Sequence, residues 1–318
     1  MVSVWIYKEH SKHFKVRWYD GIEHCSDTVE PNINVETKSP VTPIGPSNTF
    51  QIWQEKHRRR KEHLATMCQR HPELNNISIQ YANIFVDDTY KILYCPVPKV
   101  ANSNWRRVLL VLRGTFTNVT EIGKGRVYEF EYPALNNFTK TEKQLRLSTY
   151  TKFMFSRHPL SRLLSAYSDK LRDTTKRGFL RSYTVRINEA NKTNYTIGGF
   201  CFEEFVNYVL QTESNRFDRH WALMGRLCAP CAMNYDFLGQ YETLNEDVNG
   251  ILKTINASEV VDFSSYVPHK TNSSSVDILK ENYGHITKQQ IEGLYKKYEM
   301  DFRLFDYNTV EYLKMSKS

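Results

Sequence analysis

Two segments of this 318-residue sequence carry residues that could bind phosphate groups. Lys99 and Ser103 lie in a polar loop directly after 90–95, whose aromatic and β-branched residues predict a short buried strand. Arg157 follows a second predicted strand at 152–156. In an open α/β sheet, ligands bind beyond the carboxyl ends of the strands, where helix N-termini attract phosphate. The two segments therefore predict a site for a nucleotide with phosphates at two positions.

Each of these loops leads into a predicted helix. The first helix has apolar residues at the spacing i, i+3, i+4 and i+7, namely Trp105, Val108, Leu109 and Leu112. In the second, Pro159 suits the first helical position, because its missing N–H would have no partner within the helix. Ser165 lies two turns into this helix, and Arg162 lies one turn earlier. Both side chains are candidates for nucleotide binding.

Strands and helices alternate along the chain between the first predicted strand and its end. A third strand is predicted at 235–239, a helix at 51–70, and a polar surface excursion at 172–199. Two later helices are predicted to begin with capping boxes, which pair Thr243 with Glu246 and Thr287 with Gln290. This alternation predicts an α/β fold with a central parallel sheet flanked by helices on both faces.

The proline-containing segment 1–49 has little periodicity and predicts a stalk or a poorly ordered lead-in. Residues 50–318 are predicted to form a single catalytic domain. The helix at 51–70 contains the basic run His57, Arg58, Arg59, Arg60 and Lys61. A run of this kind is usually a solvated helix face, with glycan binding as the alternative interpretation.

Two common nucleotide-binding motifs are absent from the sequence. A Walker loop requires G-x-x-x-x-G-K-[ST], whereas the loop around Lys99 contains no glycine. The G-x-G-x-x-G pattern of dinucleotide dehydrogenases is also missing. P-loop kinases or NTPases and Rossmann dehydrogenases are therefore excluded.

The formal net charge is +8 and the isoelectric point is about 9.0. This excess suits a polyanionic partner, but charge alone does not choose between nucleic acid, a membrane surface, and an acidic nucleotide or glycan. The lysines and arginines are scattered rather than gathered on one helix, which argues against a nucleic-acid-binding protein.

Glycosylation sequons point to the secretory pathway. There are seven of them, at Asn76, Asn118, Asn137, Asn191, Asn194, Asn256 and Asn272. No apolar stretch approaches the roughly 18 residues of a transmembrane helix, and the charged residues of 1–20 do not fit a signal peptide. Because a luminal protein needs a means of entry, we expect the sequence to be incomplete at its N-terminus.

Four blocks of the sequence resemble, in order, the Golgi carbohydrate sulfotransferases, in particular the group of the chondroitin and dermatan 4-O-sulfotransferases and the HNK-1 sulfotransferase. Residues 98–106 resemble the 5′-phosphosulfate-binding loop of that family, and residues 157–167 its 3′-phosphate-binding segment. The blocks 220–239 and 301–305 are also similar to the family. The resemblance covers about 90–307.

The resemblance implies a P-loop-like sulfotransferase fold and 3′-phosphoadenylyl sulfate (PAPS) as the sulfate donor, without a metal. It implies that the 5′-phosphosulfate is bound by Pro98, Lys99, Val100, Ala101, Asn102, Ser103 and Asn104. It implies that the 3′-phosphate is bound by a segment comprising Arg157, His158, Pro159, Leu160, Ser161, Arg162, Leu163, Leu164 and Ser165. Lys99 would also be catalytic, because its charge stabilises the leaving oxygen.

The resemblance further implies an anionic glycan or glycosaminoglycan acceptor, with the 4-O position of N-acetylgalactosamine in chondroitin or dermatan as the expected target. It implies a glycoprotein of the Golgi lumen with a type II membrane anchor, although no anchor is visible in this sequence. The family loop commonly has cysteine where this chain has Asn102. We therefore expect Cys95 to be free or differently paired.

The acceptor hydroxyl needs a base to remove its proton. His220 is the first candidate because histidine titrates near neutral pH, and a histidine that only packs beside Trp221 is the equal alternative. Glu242 and His158 are weaker candidates. A catalytically inactive glycan-binding module is the alternative function, and the retained Lys99 and Arg157 argue against it.

Cys228 and Cys231 form a C-x-x-C pair that could bind zinc. A structural zinc site needs a second pair of ligands, and no other pair has the required spacing. We therefore expect a structural disulfide role for either cysteine, and the partners stay open because six cysteines allow 15 connectivities.

Overall fold

The structure is a computed structural model that describes residues 46–123, 125–172, 177–263 and 275–317. Most of the predicted lead-in at 1–49 therefore lies outside the described residues. The first described helix begins at Pro46. The division into a lead-in and a catalytic domain stays a prediction.

The described residues contain a four-stranded sheet. Its strands, in spatial order, are β1 (Phe85–Asp87), β2 (Ile92–Cys95), β3 (Thr151–Ser156) and β4 (Phe237–Gln240). β2, β3 and β4 are parallel, whereas β1 pairs with β2 in the antiparallel direction at one edge. The predicted α/β class is confirmed, with three of the strands close to their expected positions.

Helices surround the sheet. They are α1 (Pro46–Arg70), α2 (Asn102–Leu112), α3 (Lys140–Thr149), α4 (Pro159–Lys170), α5 (Arg177–Asn191), α6 (Phe202–Gln211), α7 (Met224–Cys228), α8 (Pro230–Met233), α9 (Leu244–Thr254), α10 (Val276–Tyr283), α11 (Lys288–Leu304) and α12 (Val310–Met315). Short 3-10 helices lie at Pro72–Asn76, Tyr81–Asn83, Val119–Glu121, Arg126–Tyr128, Leu135–Asn137, Ser214–Arg216 and Tyr241–Thr243. Within the described residues, no helix is both long enough and apolar enough to span a membrane.

The apolar stripe of α2 packs on the sheet. Trp105 is fully buried, and its ring centroid lies 4.5 Å from that of Phe153 and 5.5 Å from that of Phe155 on β3. All four residues of β2 are buried as well. Because strand and helix share this aromatic core, the loop between them has a fixed start and a fixed end.

One of the two predicted capping boxes is wrong. Thr287 accepts a hydrogen bond from the Gln290 amide at 3.1 Å and donates its own amide to the Gln290 side chain, as predicted. Thr243, by contrast, donates its hydroxyl to Oδ2 of Asp247 at 2.7 Å and does not cap α9. Asp247 is fully buried, so its carboxylate must collect nearby donors.

The prediction of a surface excursion at 172–199 is also wrong, because this segment contains α5. Its buried residues recur at helical spacing, namely Leu180, Tyr183, Thr184 and Ile187. This stripe packs α5 against α6. The abundance of polar residues around the stripe concealed it in the sequence.

Two disulfides connect distant parts of the fold. Cys68 of α1 is bonded to Cys231 of α8, and Cys95 at the end of β2 is bonded to Cys228 of α7. The C-x-x-C cysteines thus have separate partners, which confirms the structural disulfide role. Cys95 is not free, whereas Cys201 has no disulfide partner among the cysteines that the structure describes.

We expect removal of the second disulfide, by Cys95→Ala together with Cys228→Ala, to lower the free energy of unfolding by about 2–5 kcal/mol. This bond closes a loop with a sequence separation of 133 residues, so it restricts the unfolded chain strongly. Urea denaturation of the secreted protein measures the effect, and non-reducing peptide mapping verifies the pairing. Cys201→Ala is the control, with an expected change within about 0.5 kcal/mol. A Cys228–Cys231 peptide would contradict the assignment.

Candidate active site

The loop between β2 and α2 has an unusual backbone. Lys99 and Ala101 both have left-handed conformations, with φ of 68° and 53°. Non-glycine residues adopt such angles at a cost in free energy, and they do so preferentially at functional sites. Val97 and Val100 lie on either side of Lys99 and are buried, so the core holds the loop in this shape. The loop then leads directly into the N-terminus of α2, where free amides favour an anion.

The Lys99 side chain lies inside the site and not on the surface. Only 13% of it is exposed, and its Nζ lies 3.2 Å from Oδ2 of Asp169 on α4. Burial lowers the pKa of Lys99 to about 8, and Asp169 counteracts this effect. Asp169 is therefore the counterion of the Lys99 ammonium group.

Arg157 connects the two predicted phosphate-binding segments. It follows β3, is 2% exposed, and donates from Nη1 to the carbonyl oxygen of Lys99 at 3.0 Å. Its guanidinium also lies over the ring of Tyr241, 4.2 Å from the centroid. This hydrogen bond to Lys99 joins the two segments, although Arg157 and Lys99 are 58 positions apart in the sequence.

The surroundings of Arg162 differ from those expected of a residue that binds the nucleotide. Its guanidinium is 1% exposed and donates to three backbone carbonyls, those of Pro98, Ala222 and Arg219. All three hydrogen bonds of the Arg162 guanidinium are therefore made to the protein backbone.

The other residues of the two predicted segments divide into two groups. The apolar side chains face the core and are at most 1% exposed, as is the case for Val100, Leu160, Leu163 and Leu164. Their side chains therefore cannot contact a nucleotide, and within this group only backbone atoms could do so. Pro159 is buried at the start of α4.

The polar members have varied partners. The hydroxyl of Ser103 lies 2.7 Å from that of Tyr128, and Asn102 accepts a hydrogen bond from Arg106. Ser161 bonds to the hydroxyl of Tyr312. The remaining members, Asn104 and Ser165, are 7% and 2% exposed and lie on the predicted helices, as expected.

His158 caps the N-terminus of α4. Its Nδ1 accepts a hydrogen bond from the Leu160 amide at 3.3 Å, and its Nε2 donates to the carbonyl oxygen of Asn308 at 2.7 Å. Burial lowers the pKa of His158 to about 4. With both ring nitrogens engaged, His158 is a poorer candidate for the base than His220.

His220 has the arrangement of an oriented base. Its Nδ1 lies 2.5 Å from Oδ1 of Asp218, which fixes the tautomer with the proton on Nδ1. Among the described residues, none forms a hydrogen bond to Nε2. Burial lowers the pKa of His220, Asp218 raises it, and the cations Lys170 and Lys99 lower it further. Lys99 is therefore close enough to His220 to affect its pKa.

Glu242 is occupied by other partners. One of its oxygens accepts the His158 amide at 2.9 Å, and the other accepts the Tyr307 hydroxyl at 2.9 Å. The carboxylate therefore holds the start of α4 in place, and it is a poorer base candidate than His220.

Asp169 and Asp218 were not predicted from the sequence to belong to the site. Asp169 lies four residues after Ser165 on the same helix, so helical spacing could have identified it. Asp218 lies two residues before His220, which is a weaker signal because no regular element was predicted there. In the parts of the chain that the structure describes, no group of three or more histidine, cysteine, aspartate or glutamate residues could hold a metal ion.

The sequence of the chain is similar to the sequences of known proteins. The sequence model of the Sulfotransferase family matches residues 82–308, a range that contains Lys99, Arg157 and His220. The chain is 33% identical to carbohydrate sulfotransferase 11 of Rattus norvegicus over 245 residues, which cover 73% of this chain and 69% of that relative.

Two further relatives have similar names. The chain is 34% identical to carbohydrate sulfotransferase 10 of Homo sapiens over 250 residues, covering 72% of this chain and 68% of the relative. It is 30% identical to carbohydrate sulfotransferase 9 of Homo sapiens over 279 residues, covering 82% and 62%. No solved structure matches the chain significantly.

Proposed function

The chain belongs to the sulfotransferase family, and from this premise we propose that it transfers the sulfuryl group of PAPS to a hydroxyl group of a glycan. The observation that carries the proposal is the junction between Lys99 and Arg157, which brings two cationic segments together at the carboxyl end of the parallel strands. A donor with a 5′-phosphosulfate and a 3′-phosphate fits such a pair of anion sites.

The chemistry assigned to each residue follows from its position. The acceptor oxygen attacks sulfur while the bond from sulfur to the phosphate oxygen breaks, and adenosine 3′,5′-bisphosphate leaves. Lys99 stabilises the negative charge that grows on the leaving oxygen. Nε2 of His220 takes the proton of the acceptor hydroxyl, and Asp218 stabilises the resulting imidazolium. Arg157 and Ser165 hold the 3′-phosphate.

For the acceptor we propose an anionic glycan, with the 4-O position of N-acetylgalactosamine in chondroitin or dermatan as the specific target. The net charge of +8 supports an anionic acceptor. The names of the relatives support a carbohydrate. A catalytically inactive glycan-binding module is not favoured, because it would not require a buried lysine beside an oriented histidine–aspartate pair.

We propose a location in the lumen of the Golgi apparatus. Two disulfides support an oxidising compartment, since such bonds are rare in the cytosol. The sequons are compatible with the same compartment.

The transfer reaction is tested by incubating the protein with PAPS that carries radiolabelled sulfate and a panel of desulfated glycans. We expect label on a glycan with N-acetylgalactosamine acceptors, and transfer about 1,000-fold slower with the Lys99→Ala variant. Label on a different glycan would correct the acceptor and leave the sulfotransferase function intact. No label on any glycan, from protein that binds the bisphosphate, would contradict the proposed function.

We expect adenosine 3′,5′-bisphosphate at 100 times its Kd to stabilise the native state by about 2.7 kcal/mol, measured as a rise in Tm. ATP at the same concentration should have a smaller effect, because it lacks the 3′-phosphate that Arg157 binds. AMP is the matched control, because it differs from the bisphosphate only in lacking the 3′-phosphate. Equal stabilisation by the bisphosphate, ATP and AMP would rule out the 3′-phosphate assignment.

A further inference from the structure

The segment that carries His220 is held by side chains, because it lies outside regular secondary structure. It connects the 3-10 helix Ser214–Arg216 to the start of α7 at Met224. The hydroxyl of Tyr298 donates to the carbonyl oxygen of Trp221 at 2.8 Å. The buried carboxylate of Asp301 accepts the amides of Met224 and Gly225 at 2.7 and 2.9 Å. The position of His220 thus depends on groups from α11.

Arg162 joins this segment to the Lys99 loop. Its Nη1 donates to the carbonyl oxygen of Ala222 at 2.6 Å and its Nη2 to that of Arg219 at 3.1 Å, so the two bonds lie on either side of His220. Its Nε donates to the carbonyl oxygen of Pro98, the residue before Lys99, at 3.0 Å. A single planar group therefore contacts the backbone next to both catalytic residues.

The chemistry of this contact requires arginine. A guanidinium presents its donors in a fixed plane, whereas a lysine ammonium on a flexible chain cannot reach three carbonyls with the same geometry. Burial lowers the pKa of Arg162 to about 10, so the side chain remains charged at neutral pH. Because Arg162 is 1% exposed, water does not compete for its hydrogen bonds to the two loops.

We propose that Arg162 is a positioning residue that sets the distance between Lys99 and His220 and does not bind the nucleotide. The proposal rests on the proposed function, in which these two residues act on the same transfer. Its role differs from that of Arg157, which also contacts the loop but has its guanidinium against Tyr241.

A double-mutant cycle tests this role. We expect Arg162→Lys to lower kcat about 30-fold or more while the Kd of adenosine 3′,5′-bisphosphate changes less than threefold. In the His220→Ala background, the same substitution should lower kcat less than threefold, because misplacing an absent base has little effect. A purely structural role would give equal losses in both backgrounds, and a nucleotide contact would weaken bisphosphate binding at least tenfold. Either result would overturn the proposal.

Arg107→Lys is the matched control. Arg107 is 4% exposed and also donates to three carbonyls, those of Ser103, Ile122 and Gly123, but none of them lies beside His220. We expect a comparable loss of thermal stability, a kcat within threefold of the wild type, and no coupling to His220→Ala. If Arg162→Lys does not fold, Arg162→Gln retains a planar donor and takes its place in the cycle.

Hydrogen–deuterium exchange separates a failure of this proposal from a failure of the proposed function. Arg162→Lys should accelerate exchange of the backbone amides in 97–101 and 219–223 together, whereas Arg107→Lys should leave both segments unchanged. If the wild type transfers no sulfate, the proposed function fails, and the exchange result still decides whether Arg162 couples the segments. Unchanged exchange in both segments would refute the coupling.

Discussion

Replacement of Lys99 by alanine is expected to lower the rate of sulfate transfer about 1,000-fold, which corresponds to about 4 kcal/mol of transition-state stabilisation. Lys99 is the one basic residue between Cys95 and Asn102 in the sequence, and its side chain is 13% exposed. A charge with so little exposure to solvent interacts strongly with the oxygen that becomes negative as the sulfur–oxygen bond breaks. The Kd of the bisphosphate should change less than tenfold, because this interaction is largest in the transition state.

Lys170→Ala is the control for this experiment. Lys170 also contacts Asp169, at 3.3 Å compared with 3.2 Å for Lys99, but it lies at the end of α4 and outside the loop. We expect its transfer rate to remain within threefold of the wild type. Full activity of Lys99→Ala would refute the assignment of the loop and remove the main physical support for the sulfotransferase mechanism.

The pH dependence provides a second measurement for Lys99. Its pKa is lowered to about 8, and the charged form is the one that stabilises the leaving oxygen. In the nucleotide-free enzyme, the ammonium therefore loses its proton as the pH rises through about 8, and kcat/KM should fall over that range. Lys99→Ala should lack this decline.

The parts of the fold that could be predicted are those whose signals are local. The aromatic and β-branched content of β2 and β3 identified buried strands, and the stripe containing Trp105 identified α2. Lys99 and Arg157 follow these strands and lie at the same end of the sheet, because the carboxyl ends of parallel strands are on the same side. The location of the candidate site thus followed from local patterns and one topological rule.

The contacts within the site could not be predicted, because they join residues far apart in the sequence. Cys95 and Cys228 are separated by 133 positions, and the donor–acceptor pair Arg162 and Pro98 by 64. Nothing in the sequence distinguishes Arg162, which donates to three backbone carbonyls, from Arg157, whose guanidinium lies over the ring of Tyr241. Only the packing of α4 on the sheet separates their roles.

Local signals also failed where a buried group competed for a donor. Thr243 and Glu246 have the spacing of a capping box, but the carboxylate of Asp247 accepts the threonine hydroxyl. Asp247 also accepts hydrogen bonds from His57 and Arg60. Part of the basic run on α1 is therefore a buried ionic cluster and not the solvated face that was expected.

His220→Ala is expected to lower kcat at least 100-fold, since a positioned base usually contributes about 100- to 10,000-fold. The bisphosphate should bind with unchanged Kd, because His220 acts on the acceptor and not on the nucleotide. The wild-type kcat should rise with pH below 6.5, since burial and the cations Lys170 and Lys99 lower the pKa of His220 from its usual value of 6.5. A base must be neutral to act, so the variant should lose this rise.

Two companion variants distinguish a base from a packed histidine. Asp218→Asn keeps the shape of the partner of Nδ1 but removes its charge, so it should lower kcat at least tenfold and leave the melting temperature within a few degrees of the wild type. Glu242→Gln should retain most of its kcat, because both of its oxygens already serve His158 and Tyr307. If His220→Ala retains near-normal turnover while Glu242→Gln loses it, then Glu242 is the base, and the histidine–aspartate pair only supports the packing around Trp221.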